Sequence, residues 1–355
     1  MLMGIRRTGH YRQLPLVPEA LLRQHRVYEK HDHRFRACAR LLQALWRQEQ
    51  GLPMGTHIGR NGQRKIGSLL GGAAAAAGRN FLTPDVALLA RREVIYQEVG
   101  ALIERQRLFG NLLSSMPLAF NLFAPLRFDL EFAARVVRSL IPDIDLARVV
   151  EVWFEHSPGR SRPEFTEDRT AFDVAIVYER RDGQRGLLAI EQKYSEGTDA
   201  AVGEHRHRYG ELARSSEMYK NPMHGVLRTG PCQQLFREHL LTVAATQGGA
   251  YAEARFVLIA PRHNHLIQQG AALYASMLTE PQPGSVPFIN LELERVIEAI
   301  AWAGQLDYAQ ILYDRYCNWL KVDLAVEDAL RADAAAWSKP ARAKPAALPV
   351  LAAAA

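Results

Sequence analysis

Asp173, Glu191 and Lys193 are the residues whose types and spacing invite chemistry. Glu191 and Lys193 flank Gln192 at the end of an apolar run, LLAIEQK, and Asp173 sits early in another, TAFDVAIVY. Ionisable side chains are seldom buried unless paired or functional, so two acids and a lysine in apolar strands need a reason. Two carboxylates on one face repel unless a cation lies between them. Oxygen ligation favours a hard ion, Mg²⁺ first and Mn²⁺ as the alternative. The backbone carbonyl of Gln192 would add a third oxygen. Lys193 would position or deprotonate a water, or stabilise charge developing on a phosphate. The ordinary explanation of the same residues is a surface hairpin with a Glu191–Lys193 ion pair and a solvated Asp173.

The turn between the two strands decides whether the acids meet. Alternation puts Ala171, Asp173, Ala175 and Val177 on one face of the first strand, and Leu187, Ala189, Glu191 and Lys193 on one face of the second. A two-residue Asp182-Gly183 loop would pair Asp173 with Gln192 and separate the acids. A three-residue loop, Arg181-Asp182-Gly183 with Gly183 left-handed in a bulge, pairs Asp173 with Glu191. The chemistry requires the odd register, and the odd register is expected.

Asp173 followed by Glu191-Gln192-Lys193 resembles the core motif of the PD-(D/E)XK nuclease superfamily, with Phe172 where a proline usually precedes the first acid. GRNFLTP (78–84), YQE (96–98), SSMPLAFNLFAPL (114–126), FEHSPGR (154–160) and QLFREHLL (234–241) extend the likeness to a bacterial restriction-endonuclease-like family. The resemblance implies an α/β fold: a central mixed sheet flanked by helices, with helical N- and C-terminal extensions. It also implies metal-dependent hydrolysis of DNA in the cytoplasm. A first core helix often supplies a further acid, which points to Glu98 as an additional metal ligand. By the same resemblance Gln234 and Arg237 lie on a helix packed beside the site, Gln234 to orient the water or a ligand and Arg237 to neutralise phosphate. The rival readings are a catalytically silent nucleic-acid-binding protein of the same fold, and a repair or anti-phage nuclease without site specificity. A homodimer would suit double-strand cutting, but no interface is legible.

The elements that must position these residues follow from patterning. Thr83-Pro84-Asp85 is a helix start, with Thr83 as cap. The helix is expected to run to about Leu108, with Ile95, Val99 and Leu102 as its buried stripe and Glu98 within it. DLEFAARVVRSL (129–140) is a second amphipathic helix and competes for the role of first core helix. RVVEVWFE (148–155) is a strand ending in Glu155, at the edge of the expected site. GEHRHRYGELARSSEMYK (203–220) is a basic helix suited to tracking a phosphate backbone. PCQQLFREHLLTVAATQ (231–247) is amphipathic, and ARFVLIAP (254–261) is a buried strand by length and composition. Asn121, within FNLFAPL, is expected to hold a loop. Residues 291–304 and 306–320 read as two helices.

The 355 residues carry a formal charge of +6, mildly basic and suited to a polyanionic partner. Cys38, Cys232 and Cys317 show no paired spacing, so neither a zinc pattern nor a disulfide framework is expected. No secretory leader is expected at the N-terminus, nor any membrane-spanning stretch. The GRNGQRKIGS segment lacks the GK[ST] ending of a phosphate-binding loop. The expected layout is a helical, basic extension over 1–78, a nuclease-like core over 79–270, a helical cover over 271–330 and a disordered tail over 331–355.

Overall fold

The computed structural model describes residues 13–59, 62–197 and 203–337. Its strands are β1 (Met54–Gly59), β2 (Gly62–Leu70), β3 (Arg148–His156), β4 (Phe172–Glu179), β5 (Arg185–Gln192), β6 (Glu253–Ala260) and β7 (Phe288–Glu292). The helices before the sheet are α1 (Glu19–Gln24), α2 (Arg34–Glu49), α3 (Gly72–Ala76), α4 (Pro84–Ile95), α5 (Arg105–Gly110), α6 (Ser115–Phe128) and α7 (Leu130–Leu140). Those within and after it are α8 (His207–Ser215), α9 (Cys232–Gln247), α10 (His265–Ser276), α11 (Leu293–Trp302), α12 (Leu306–Tyr316) and α13 (Leu320–Trp337).

β3, β4 and β5 form an antiparallel meander, and β6 and β7 add to its β5 edge in parallel, giving the order β3-β4-β5-β6-β7. The parallel pairs need crossovers, and α9 and α10 supply them. The strand alternation divides the core into two faces. Val174, Ile176, Leu188, Ile190, Val257 and Ile259 point to the face covered by α6, α7 and α11, where α2 and α12 also pack. Ala175, Val177, Leu187, Ala189, Phe256 and Leu258 point to the face covered by α8, α9 and α10. Asp173 and Glu191 keep step with the second set. The mixed sheet flanked by helices is the expected fold class.

The turn expected to set the register is present. Arg180 N–H donates to Gln184 O at 2.8 Å, leaving Arg181, Asp182 and Gly183 as the loop, and Gly183 has φ +83°. Val174 therefore pairs with Ile190, and Asp173 falls level with Glu191.

Several local expectations are corrected. The first seventy residues are not helical throughout, since Met54–Gly59 and Gly62–Leu70 form a hairpin. Their outer halves are exposed and polar, so no apolar alternation marked them as strands. The helix from Pro84 ends at Ile95 instead of about Leu108. Arg160 holds the next segment open, donating to the Glu98 carboxylate and to the carbonyls of Gly100, Glu155 and Arg169. Gly100 takes φ +86°, and the expected stripe lies outside the core, with Val99 99 % exposed. FNLFAPL is part of α6, and from it Asn121 holds a loop as expected, its Oδ1 accepting from Leu82 N–H at 2.9 Å and its amide donating to Asn80 O at 3.1 Å. Pro125 lacks an N–H for the Asn121 carbonyl, and the Tyr308 hydroxyl donates to that carbonyl instead, at 2.6 Å. The basic helix expected over 203–220 is confined to His207–Ser215. Residues 331–337 continue α13, and 338–355 lie outside the described residues. β7 was not anticipated.

Candidate active site

The register of three neighbouring strands lines up three carboxylates. Phe154 pairs with Val174 and His156 with Phe172, which puts Glu155 level with Asp173. The β4–β5 register then puts Asp173 level with Glu191. Glu155 has φ +49°, a left-handed conformation unusual outside glycine, at the end of its strand. Its backbone carbonyl accepts from Arg160 at 3.1 Å.

Gln192 fastens the row from β5. Lys193 N–H donates to Ile259 O on β6 at 2.8 Å, so by strand alternation the N–H and C=O of Gln192 face β4. That N–H donates to Asp173 Oδ2 at 2.8 Å. The Gln192 carbonyl thus points to the same edge as the acids, as expected of a third oxygen.

α9 completes the cluster. Lys193 Nζ lies 2.5 Å from Glu191 Oε1 and donates to Gln234 Oε1 at 2.7 Å. The Gln234 amide donates in turn to Glu191 Oε1 and to Glu238 Oε1, each at 2.8 Å. Gln234 and Glu238 are one helical turn apart, so both reach the same strand end. Glu238 is buried, and its second carboxylate oxygen has no partner among the described residues.

Four carboxyl groups share one ammonium here, and their proton affinities reflect it. Burial, then the fields of Glu191 and Glu155, push Asp173 well above the usual carboxylate range, against the pull of Lys193 and the Gln192 N–H. Burial, then Glu191, raises Glu155 to about 7. Burial, then Glu191, raises Glu238 well above its ordinary value. Burial works against the Lys193 ammonium, but Glu191, Glu238, Glu196 and Asp173 together outweigh it and raise its pKa. Lys193 is therefore a fixed cation and not a base.

Among the described residues no three His, Cys, Asp or Glu side chains form a ready-made metal cage. The donor set nevertheless fits a hard divalent cation of the kind expected. Asp173 and Glu191 offer oxygens on one face, the Gln192 carbonyl adds a neutral one, and burial with the neighbouring acids raises the proton affinity of Asp173 and Glu238, a strain that a bound cation would relieve.

Asp173, Glu191, Gln192, Lys193 and Gln234 thus stand together. Glu98 does not join them. It lies on the loop after α4, its side chain 43 % exposed, bonded to His156 Nδ1 at 3.0 Å and to Arg160 at 3.3 Å. The His156 bond is the main reason its pKa is lowered. The further acid in the row is Glu155, at the end of the strand and not on a helix. Arg237 stands 3.7 Å from Asp168, on the neighbouring loop. Glu238 was missed, although its place four residues after Gln234 on an amphipathic helix marks it for the same face. Glu196 accepts from the N–H groups of Tyr194 and Ser115, so it fixes the chain that follows Lys193.

A family model described as the PD-(D/E)XK nuclease superfamily matches residues 30–318. No curated protein and no solved structure matches the chain.

Proposed function

Because the chain belongs to the PD-(D/E)XK nuclease superfamily, we propose that it is a Mg²⁺-dependent nuclease hydrolysing phosphodiester bonds of DNA, acting in the cytoplasm. The observation that carries this reading is the odd register of β4 and β5. It sets Asp173 beside Glu191 on one face, and the alternation along β5 brings Lys193 to that same face, in contact with Glu191.

Asp173, Glu191 and the Gln192 carbonyl are the ligands for the metal, with Glu155 flanking them. When bound, the ion supplies Lewis-acid polarisation of the phosphoryl oxygens and lowers the pKa of water. The protein's own part is positional and electrostatic. Gln234 bonds to both Lys193 and Glu191 and so fixes the orientation of their ion pair. Lys193 stays charged at neutral pH and stabilises negative charge on the non-bridging oxygens as the water oxygen bonds to phosphorus and the bond to the leaving oxygen breaks. The attacking water gives up a proton to solvent and the leaving oxygen takes one from solvent, so the products are a terminal phosphate on one fragment and a hydroxyl on the other.

The test is cleavage of plasmid and linear genomic DNA with Mg²⁺, with Mn²⁺ and with chelator, wild type beside Lys193→Ala. Metal-dependent cutting that disappears in the variant supports the reading, and discrete fragments add site specificity. Salt-dependent DNA binding without cutting of any substrate overturns it in favour of a binding-only protein. The ratio of nicked to linear plasmid reads whether one copy or two act on a duplex.

A further inference from the structure

A cleft of about 490 Å³ lies between the β1–β2 hairpin, α2 and α5. Arg36 and Arg40 line it from α2, His57 and Arg64 from the hairpin, and Arg107 from α5. Ser195 and Glu196, just after Lys193 in the chain, lie on its inner wall. Ser195 and Glu196 follow directly on the strand end that carries Glu191 and Lys193, which sets this wall of the cleft beside the carboxylate row.

The guanidinium groups are held in place. Asp32, its side chain only 7 % exposed, pairs with Arg40 and stands 3.5 Å from Arg36. Glu29 pairs with Arg64. Each carboxylate engages a fraction of the five N–H donors that a guanidinium presents, and Arg36 meets Asp32 through Nε. Of the two carboxylates that line the cleft, Glu29 is taken by Arg64, and Glu196 by the N–H groups of Ser115 and Tyr194. What remains facing the space is a row of oriented N–H forks, the geometry that suits phosphate oxygens. The hairpin carries the wall outward: Thr56–Gly59 and Gly62–Lys65 are exposed, with Arg64 and Lys65 on the exposed half of β2. A wall that continues beyond the cleft suits a polymer. Duplex DNA, whose major groove alone is about 12 Å wide, does not enter a space of this size, whereas one sugar-phosphate strand does.

We propose that this cleft binds the phosphodiester backbone of one DNA strand and leads it to the Asp173–Glu191–Lys193 site. The proposal rests on the nuclease reading for its direction, while the binding it predicts is measured separately. The cleft is tested by fluorescence anisotropy of labelled single-stranded and duplex oligonucleotides across a salt series, with Ca²⁺ present, for wild type, R36Q/R64Q and the distant surface variant R331Q. All three are checked for equal thermal melting. R36Q/R64Q should lose roughly tenfold or more in affinity near 0.1 M salt, with the log–log salt slope reduced by about 1–2, and R331Q should match wild type. The loss should appear on single strands as well as on duplex, since one strand makes the contacts. Equal affinity and slope for wild type and R36Q/R64Q overturn the proposal, as does a loss confined to duplex. If wild type cuts DNA and R36Q/R64Q binds normally, the cleft fails and the nuclease reading stands. If nothing is cut yet binding falls in R36Q/R64Q, the cleft stands and the nuclease reading fails.

Discussion

Lys193 is the cation against which Glu191, Glu238 and Asp173 are set, so its removal acts twice. It takes away the charge that would meet a phosphate, and it leaves Glu191, Glu238 and Asp173 uncompensated. Lys193→Met should lower cleavage by about 10²–10³-fold or more. It should also lower the melting temperature, more at high pH than at low pH, because burial raises the proton affinity of Asp173 and Glu238. Asp173→Asn makes the opposite case: cleavage disappears, but the metal-free protein melts no lower than wild type, because a repelling carboxylate has been neutralised. A D173N variant that still cuts with Mg²⁺ would count against the site. Glu155 gives the pH dependence. Folding raises its pKa from 4.5 to about 7, so the native state holds a proton that the unfolded chain releases. Stability of the metal-free protein should therefore fall as pH rises between those values, by on the order of 2 kcal/mol after allowance for partial solvent screening. Urea titrations of wild type and Glu155→Gln from pH 4.5 to 7.5 read this directly, and the variant should show the flatter profile.

At the level of elements, the β4–β5 hairpin was legible because its information is local. Alternation, an Asp-Gly turn and the parity of one loop determine which side chains share a face. β6 was legible as an unbroken apolar run, and α9 as an amphipathic helix. The misses share a different physics. The β1–β2 hairpin is polar on its exposed half, so its pairing leaves no hydrophobic signature. α4 stops early because Arg160, far along the chain, binds the segment beyond it. α6 survives Pro125 because Tyr308, from α12, satisfies the carbonyl that proline cannot. Glu98 was attributed to the row because a continuous helix would have carried it there, and Glu155 fills that place because strand pairing does. The parity argument is testable at Gly183, whose φ of +83° suits glycine and whose Cβ position meets no neighbouring atom. Gly183→Val should therefore cost backbone strain alone, about 1–2 kcal/mol by thermal or urea unfolding. The folded fraction should cleave at the wild-type rate, since the strand cores on either side hold the register. A folded variant with lost cleavage would show that the turn, and not the core, keeps Asp173 opposite Glu191.

The whole molecule is tied together behind the sheet by a charge that no acid among the described residues partners. Arg315 on α12 is fully buried. It donates to Asn80 O at 2.7 Å, to Asn80 Oδ1 and to Gln43 Oε1 on α2, and its guanidinium lies 4.0 Å from the Trp46 ring centre and 4.7 Å from that of Tyr316. Carbonyl dipoles and ring faces thus hold it where a carboxylate would be expected. Gln43 passes the contact on, donating to Arg315 O at 2.8 Å and to the Tyr194 hydroxyl at 3.0 Å, and Tyr194 is the residue after Lys193. α2 and α12 therefore close one core with the sheet, and the chain leaving the site is anchored in it. Arg315→Met keeps the length of the side chain but strands Asn80 and Gln43 without their donor. It should cost about 3 kcal/mol in urea unfolding, through a lower midpoint at unchanged slope. Arg315→Lys should recover only part of the loss, because a point charge cannot serve two residues and two ring faces at once. A midpoint for Arg315→Met within error of wild type would mean that apolar packing alone joins the two ends of the chain to the sheet.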